Sequence, residues 1–519
     1  MPGEGSREFF RSFRLGGLAA WREISIVSFG MSASRLFVTA LVVVVLTAAH
    51  ALAAGTSHRQ NVVFILADDL GINDLAWYGR GDHCTPHLDR LAREGVRFTS
   101  AYCAQPICSP SRAAIMTGKH PARLHLTTYL PGRPDCASQK LLHPVMRQEL
   151  PLTEKTMAEH FREAGYATAC IGKWHLGGRG FLPTDQGFDV YHPGQANTTP
   201  SETEGGKGEY DLTSQAVKFI EANRDRPFFL YLAHNSPHIP YSARTNWVAG
   251  NARAFEPVYA ALIETLDETA GRLMARLDAL GLATNTIVVF TSDNGGLHVP
   301  EGGHAKITHN TPFRAGKGFL YEGGLRIPLL VRWPGRVPAG RVVDDPVVNT
   351  DWLPTLLELA GLPVPNALDG VSFAGLLTKP GGWKPRRLFW HFPHYTNQGS
   401  RPAGAVRDGD WKLIEHYEDG RVELFNLARD VAETQDLSDQ EPRQVATLRA
   451  ALAAWRQSVG AQTNPLNLDF QADLHHPLYV DFDVSRFDPP KASALDWERI
   501  QTWRKGMNAV LSTTQTPKR

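Results

Sequence analysis

The run NVVFILADDLG, which begins at Asn61, constrains the fold more than any other segment of the chain. Its apolar stretch is continuous rather than alternating and is rich in β-branched residues. A strand of this kind is buried on both faces, which is typical of a parallel sheet covered by helices. The stretch ends in two aspartates and a glycine, and ligand sites of open α/β sheets lie beyond such strand ends. The run therefore predicts a central strand that leads into a functional site.

Further strands alternate with helices along the chain. Predicted strands cover residues 97–101, 166–171, 227–233 and 286–291, and predicted helices cover 87–93, 112–116, 153–164, 211–223 and 257–280. This alternation predicts the α/β class, with a large mixed, mainly parallel sheet sandwiched by helices. We assign this main α/β domain to residues 55–380.

The pattern changes after about residue 380. Residues 387–392, 404–415 and 421–426 are typical of antiparallel strands, Asp419-Gly420 indicates a hairpin turn, and 445–457 form a closing helix. We expect a smaller C-terminal subdomain of antiparallel sheet plus helix over 381–460. The extension 461–519 is rich in Asp, Pro and aromatic residues, and its structure is not predicted.

The N-terminal region has the three parts of a secretory signal. Arg35 precedes an apolar run at 36–49, and small residues follow at 49–53. The run is shorter than the roughly 20 residues of a spanning helix. We therefore assign residues 1–54 to a leader, with Met31 as the true start, and expect a protein exported to the periplasm or outside the cell, with no stable membrane insertion. A long n-region or an uncleaved anchor is the alternative.

The charge balance excludes one class of partner. Lysine and arginine total 54 against 53 aspartates and glutamates, which gives a net charge of +1. A nucleic-acid-binding protein normally shows a basic patch or a strongly basic pI. We therefore expect neither DNA nor RNA as a partner.

Cys108 opens the run CSPSRAAIMTG, in which Arg112 follows four residues later. Residues four apart lie on one helix face, so Arg112 is expected to reach back toward Cys108. The remaining cysteines are Cys84, Cys103, Cys136 and Cys170. In an oxidising compartment these form two disulfides with one of three pairings, or they stay free thiols.

Two polar pairs follow predicted buried strands. Asp68 and Asp69 end the first strand, and Asp293 and Asn294 follow the strand at 286–291. Hard oxygen donors at strand ends suit Ca²⁺ or Mg²⁺, and the absence of a His/Cys ligand set counts against zinc. The two pairs predict a divalent cation site.

Four more blocks carry distinctive residues: GKWHLG from Gly172, HNSPHIP from His234, RAGKG from Arg314 with EGGLRIP from Glu322, and ELFNLARDVAETQDL from Glu423. Together with CSPSRAAIMTG, they resemble the type I sulfatases of the alkaline phosphatase superfamily, and the resemblance runs from about Asn61 to Leu437.

The resemblance implies that a formylglycine-generating enzyme, or an equivalent maturase, oxidises Cys108 to Cα-formylglycine. The hydrated aldehyde attacks sulfur, and the sulfated hydrate then collapses to aldehyde and expels sulfate. It further implies one calcium ion, held by Asp68, Asp69, Asp293, Asn294 and the modified Cys108.

The resemblance also assigns roles to five side chains. Arg112 holds the diol, and Lys173 contacts the sulfate. His175 holds or deprotonates the non-attacking hydroxyl. Lys317 neutralises sulfate and, with His238, stabilises or protonates the departing alkoxide.

Other positions stay open at this point. His234 is expected to pack behind the site, and a serine-type sulfate contact after Gly187-Phe188-Asp189 has several candidates. His391 and His394 of WHFPHY either touch the substrate at the pocket rim or pack within the C-terminal subdomain.

The block TGKHPARLHLTTYLPG resembles a branch of the family that includes enzymes acting on sulfated sugars. The expected substrate is therefore a small-molecule or carbohydrate sulfate ester, with an exo-acting carbohydrate sulfatase favoured. The first alternative is a phosphonate or phosphodiester hydrolase of the same superfamily. The second is a non-catalytic sulfoglycan-binding protein with unmodified Cys108. A thiol hydrolase would leave the paired acidic residues without a purpose.

Overall fold

The first strand lies in the middle of the main sheet, as its apolar run predicts. A computed structural model describes residues 59–194, 206–379 and 383–512, all within one compact unit, His58–Arg519. Every residue of β1 (Asn61–Asp68) is buried. Alternate side chains enter two separate hydrophobic cores, with Phe64 in one and Ile65 in the other. The predicted leader lies outside the described residues.

Eight strands form the main sheet within the described residues: β1, β2 (Val96–Phe98), β4 (Ala167–Gly172), β5 (Val190–Pro193), β6 (Phe228–Pro237), β7 (Thr286–Ser292), β8 (Leu329–Arg332) and β9 (Arg341–Val343). Their order across the sheet is β5-β4-β6-β1-β7-β8-β2-β9. Strand β8 runs antiparallel to both neighbours, and the other pairs are parallel. A short parallel pair, β3 (Ala101–Tyr102) with β10 (Val347–Val348), lies apart. The predicted mainly parallel sheet is confirmed.

Helices cover both faces of this sheet. They are α1 (Pro86–Glu94), α2 (Cys108–Thr117), α3 (Pro121–Leu124), α4 (Met157–Glu163), α5 (Glu209–Ala222), α6 (Thr245–Gly250), α7 (Pro257–Ala279), α8 (Glu322–Leu325), α9 (Trp352–Leu359) and α10 (Ala374–Thr378). Helices α2, α4 and α9 pack into one core, and α1, α5 and α7 into the other. No described helix combines the length and the hydropathy that crossing a bilayer requires.

Helix α2 begins at Cys108, and the predicted start at residue 112 is wrong. Pro110 lies in its first turn, where backbone N–H groups have no partner within the helix, so proline is tolerated there. All of its residues are buried, and it ends at Gly118, whose φ is 64°. Cys108 therefore lies at the N-terminus of a rigid, buried helix.

Helix α4 is shorter than predicted and starts at Met157. Thr156 forms a capping box with Glu159, in which each side chain accepts a hydrogen bond from the other residue's backbone N–H. The cap fixes the start of the helix, because it satisfies donors that would otherwise stay free.

The C-terminal part contains the predicted antiparallel sheet. Its strands are β11 (Leu388–Phe392), β12 (Ala403–Asp408), β13 (Trp411–His416) and β14 (Val422–Asn426), and α11 (Pro442–Ser458) packs on it. The stretch 404–415 is a hairpin rather than one strand, because Gly409 adopts a φ of 59° and reverses the chain.

The segment beyond residue 460 folds back on the main core. It contains α12 (Ala472–Tyr479) and α13 (Ala494–Ser512). Ile500, Trp503 and Met507 are buried in the core that contains Phe64. Leu466 pairs with Leu141, which ties this segment to the loop after α3.

Candidate active site

The predicted site residues meet at the carboxyl edge of the main sheet. Ala67 of β1 lies opposite Ser292 of β7, so the polar pairs that follow these residues are neighbours. On the other side of β1, Asp68 pairs with Pro237, directly before His238. Strand β4 lies beside β6 and ends at Gly172, directly before Lys173. The strand order therefore brings four distant segments together.

Buried oxygen donors form the centre of this site. The Sγ atom of Cys108 lies 3.5 Å from Asp68 Oδ1 and 3.9 Å from Asp69 Oδ1. Asn294 Nδ2 donates to Asp69 Oδ1 over 2.8 Å, and the Asp69 backbone N–H donates to Asp293 Oδ1 over 3.1 Å. Asn294 Oδ1 is buried and has no hydrogen-bond partner among the described residues. The cluster thus offers carboxylate and amide oxygens to a cation.

Arg112 contacts the cluster through Asp293 and the backbone of Lys173. Its Nη2 atom lies 2.8 Å from Asp293 Oδ2, and its Nη1 donates to the backbone oxygen of Lys173 over 2.9 Å. Burial raises the pKa of Asp293 to about 6, and Arg112 offsets only part of this effect. Arg112 therefore fixes both a site carboxylate and the strand end that carries Lys173.

Two lysines neutralise the other carboxylates. Lys173 Nζ lies 2.6 Å from Asp68 Oδ2, and Lys317 Nζ lies 2.6 Å from Asp69 Oδ2. Burial alone would raise the pKa of Asp68, but Lys173, His238 and the other nearby cations outweigh it and hold that pKa well below its ordinary value. The site is therefore ionised and densely charged.

His175 presents one free ring nitrogen. Its Nε2 lies 3.0 Å from the backbone oxygen of Leu130, and its Nδ1 is buried without a partner among the described residues. Burial and the Lys173 charge lower the pKa of His175 to about 3. Since Nε2 carries the proton that is donated to Leu130, Nδ1 acts as an acceptor.

His238 lies on the more open side of the site. Its Nδ1 donates to the Ile239 backbone oxygen over 2.6 Å, and its Nε2 lies 3.6 Å from Asp69 Oδ2. The side chain is 30% exposed. Burial of the ring and the Lys317 charge lower the pKa of His238 to about 4. One ligand atom from each of Asp68, Asp69, Cys108 and His238 lies within 4.8 Å of the others.

The environment of Cys108 disfavours the thiolate form of its side chain. It is 2% exposed, and burial raises its pKa far above the ordinary value despite Lys173 and Lys317. A thiolate is the reactive form of cysteine. This counts against a thiol hydrolase. The other four cysteines are also free, which agrees with the free-thiol alternative rather than with two disulfides.

His391 and His394 are buried and each contacts another side chain of the protein. His394 is 1% exposed, and its Nε2 lies 2.7 Å from Thr127 Oγ1. His391 is fully buried and its Nδ1 lies 2.8 Å from Tyr417 Oη. These contacts favour the packing alternative for both residues.

Glu209 is a site residue that the sequence did not indicate. At the start of α5, its Oε1 accepts from the backbone N–H of Asn235 over 3.0 Å and of Ser236 over 2.7 Å. Its Oε2 lies 2.5 Å from His234 Nδ1. The carboxylate therefore anchors the end of β6 that carries His238. No local sequence motif marks this role of Glu209.

The serine-type sulfate contact stays unassigned, because residues 195–205 lie outside the described residues.

Two protein families match this chain, one over the main sheet and one over the C-terminal part. Residues 60–362 match the sulfatase family, and residues 315–458 match the family described as N-sulphoglucosamine sulphohydrolase, C-terminal. Arylsulfatase A of Homo sapiens is 36% identical over 408 residues, which cover 70% of this chain and 76% of that protein.

Two further proteins extend the comparison. N-acetylgalactosamine-6-sulfatase of Canis lupus familiaris is 36% identical over 365 residues, which cover 63% of this chain and 68% of that protein. The solved structure of Ps i-CgsB in complex with k-i-k-neocarrahexaose superposes with a TM-score of 0.67 at 27% identity, covering 87% of this chain and 99% of that one.

Proposed function

Because the chain belongs to the sulfatase family, whose match spans more than half of its length, we propose that it removes sulfate from a carbohydrate through a formylglycine made from Cys108, beside one calcium ion. Membership makes the protein a sulfuric ester hydrolase that acts on sulfated compounds. The nucleophile, the metal and the sugar are the proposed parts. The observation that carries them is Cys108 at the start of α2, next to Asp68 and Asp69.

The residues present fit a calcium ion. Calcium prefers carboxylate and amide oxygens, and four such side chains converge here, one with a buried oxygen that has no partner among the described residues. The ligands would be Asp68, Asp69, Asp293 and Asn294, with the modified Cys108 as a further donor. When bound, the ion would supply Lewis-acid polarisation and would help to orient the reactants.

The cations of the site would bind the sulfate group. Sulfuryl transfer spreads negative charge over the peripheral oxygens, so preorganised positive charges supply much of the catalysis. Lys173 directly follows β4, and Lys317 lies in the loop between β7 and α8. Each lysine contacts a carboxylate of the cluster and can neutralise a sulfate oxygen. Arg112 is fully buried against Asp293 and would hold the hydrated aldehyde.

Attack joins one hydroxyl oxygen of the hydrate to sulfur, the proton of that hydroxyl passes to a neighbouring carboxylate of the cluster, and the bond from sulfur to the alcohol oxygen breaks. His238 would give the departing oxygen a proton from Nε2, because Nδ1 is engaged with Ile239. The free enzyme holds this imidazole neutral, and the negative charge of a bound sulfate ester favours its protonated form.

Release of sulfate uses the second hydroxyl of the hydrate. Its proton would pass to His175 Nδ1, the ring nitrogen that has no partner among the described residues. The carbon–oxygen bond to sulfate then breaks, the aldehyde forms again, and water adds to restore the hydrate. Serine at position 108 would have no such second hydroxyl and would stay sulfated.

Peptide mass spectrometry tests the nucleophile. The protein is produced with a formylglycine-generating enzyme, and the peptide that contains Cys108 is weighed in preparations of known activity. Conversion lowers its mass by about 18 Da. An unmodified thiol in a fully active preparation would contradict the proposal, and Cys108→Ala is the matched inactive control.

A substrate panel tests the carbohydrate assignment. Support comes from the relatives, one named for N-acetylgalactosamine 6-sulfate chemistry and one solved with an oligosaccharide. The panel contains defined sulfated mono- and disaccharides, an aryl sulfate, a phosphate diester and a phosphonate. Faster turnover of the phosphonate or the diester than of every sulfate would contradict the assignment.

We also propose that the enzyme is exported, on the basis of the predicted leader. Its test is the N-terminal sequence of the mature protein recovered from the periplasm or the medium. Retention in the cytoplasm with an intact leader would contradict it.

A further inference from the structure

A glycine-containing turn lies at the open side of the site. Glu301 and His304 close it through a short bridge, with the His304 backbone N–H donating to the Glu301 backbone oxygen over 3.1 Å. Gly302 and Gly303 have φ values of 62° and 86°, which glycine adopts without strain. His304 Nε2 accepts from the Tyr241 backbone N–H over 2.9 Å. The turn is thus fixed to the segment that follows His238.

The turn and Glu301 contact chain neighbours of the two groups assigned to the leaving alcohol, His238 and Lys317. On one side, a Cβ atom on Gly302 would lie 3.0 Å from Ile239 Cδ1, beside His238. On the other side, Gln398 Nε2 donates to Glu301 Oε2 over 2.5 Å. Gln398 Oε1 lies 3.0 Å from the place of a Cβ on Gly318, beside Lys317.

The Glu301 carboxylate has few partners within the described residues. The residue is partly exposed, and no cation of the described residues lies within ion-pair distance of it. Its charge contributes to the raised pKa values of Lys317 and Tyr129, which is consistent with a position near both. An ionised carboxylate only accepts hydrogen bonds, and it repels a neighbouring anion.

We propose that Glu301, oriented by Gln398, is a specificity-determining residue that accepts hydrogen bonds from hydroxyl or ammonium groups of the departing sugar and disfavours a second anionic group beside the scissile ester. The preferred substrate is then a sugar with one sulfate and otherwise neutral or cationic substituents. This inference rests on the proposed function, because it takes His238 and Lys317 to contact the leaving oxygen.

The test compares Glu301→Gln with the wild type on two substrates, a monosulfated hexosamine and the same sugar with a second sulfate on the neighbouring carbon. Both proteins carry formylglycine, and kcat/KM is measured for each sugar. The wild type favours the monosulfate. Glu301→Gln narrows that preference by about tenfold, as expected for losing a hydrogen bond to a charged group. Gln398→Ala shifts it in the same direction by less, because the carboxylate remains but loses its orientation.

Glu358→Gln is the matched control, because Glu358 is an exposed residue of α9 and its substitution changes the net charge by the same amount. It should leave the ratio of the two kcat/KM values unchanged. Equal losses on both sugars in Glu301→Gln, or turnover of an aryl sulfate but of neither sugar by the wild type, would overturn the inference. Absence of sulfate release from every ester, with formylglycine present, would instead overturn the proposed function.

Discussion

Two buried clusters in this protein each combine carboxylates with cationic side chains. They differ in whether these groups are fully enclosed by the protein or remain accessible to a ligand. The open cluster is the site itself, with Asp68, Asp69 and Asp293 beside Lys173 and Lys317. The sealed cluster is a second set, Glu322, Glu433, Lys412 and Arg326, which joins α8 to the C-terminal sheet.

Their surroundings separate their roles. Lys412 Nζ lies 2.9 Å from Glu322 Oε1 and 2.8 Å from Glu433 Oε1, and all three side chains are fully buried. In the open cluster, Lys173 is 17% exposed and Asn294 keeps an unpartnered buried oxygen. Fully enclosed ion pairs therefore connect parts of the chain in the sealed cluster. In the open cluster, partial exposure and an unpartnered oxygen leave room for the proposed metal ion and substrate.

Replacing a carboxylate by its amide should mainly lower activity in the open cluster and mainly lower stability in the sealed cluster. Asp293→Asn should lower kcat/KM by at least about 10²–10³-fold, because it removes preorganised charge from the site. Its stability should change less, because burial already disfavours the ionised form of Asp293. Glu322→Gln should lower the free energy of unfolding by about 3–5 kcal/mol, because Lys412 and Arg326 lose a buried partner.

Urea unfolding and sulfate release measure both effects. Calcium titration of Asp293→Asn adds a readout of the metal, whose affinity should fall. Full activity in Asp293→Asn would remove the metal assignment. An unchanged unfolding free energy in Glu322→Gln would show that the sealed cluster does not stabilise the fold.

The open cluster also contains His238, the proposed proton donor for the leaving group. His238→Ala should slow sulfates of poorly acidic alcohols by about 10²-fold or more, the usual contribution of a general acid. Activated aryl sulfates should lose much less, because their leaving groups need no proton. A plot of log kcat against leaving-group pKa should therefore steepen. Equal losses on both kinds of ester would show that His238 is not the acid.

Residues at strand ends could be predicted from the sequence because their positions follow from topology. Once β1 and β7 are recognised as parallel neighbours, Asp68 and Asp293 must lie close together. The motif around Cys108 predicts the proposed chemistry, whereas the predicted helix start is wrong because Pro110 lies in the first turn of α2.

Residues that act across long sequence separations could not be predicted. Glu209 contacts the end of β6 and Glu301 contacts Gln398, and neither lies in a recognisable local pattern. The sequence alone does not distinguish a rim position from a packed one for His394, because only its tertiary contacts show that it is buried. The fold of the extension beyond residue 460 depends on packing partners such as Leu141, which its own sequence does not reveal.

The pH dependence of stability should separate the sealed cluster from the open one. Burial raises the pKa of Glu433 from 4.5 to about 7, although Lys412 opposes the shift. Between these two values the folded protein binds a proton that the unfolded chain lacks, so this group makes stability fall as pH rises through that window. Glu433→Gln mimics the protonated side chain.

The variant should match the wild type near pH 5 and exceed it by about 1–3 kcal/mol near pH 8. Urea unfolding at several pH values measures the difference between the two proteins, which cancels groups that titrate equally in both. A wild type that is more stable than Glu433→Gln at pH 8 would show that the ionised carboxylate is the favoured partner of Lys412.

Substitution of Glu209 has the smallest expected effect on activity. It tests whether a fully buried glutamate acts on catalysis or only on the stability of the fold. It is as buried as the sealed glutamates, yet its contacts lead to the site, because it holds the backbone of Asn235 and Ser236 ahead of His238. Glu209→Gln keeps one acceptor oxygen and should lower kcat by about tenfold, in the range of residues that orient catalytic groups. The loss should follow that of His238→Ala, greater on poorly acidic alcohols than on aryl sulfates. Equal losses on both would place Glu209 with the sealed cluster, as a residue that stabilises the fold alone.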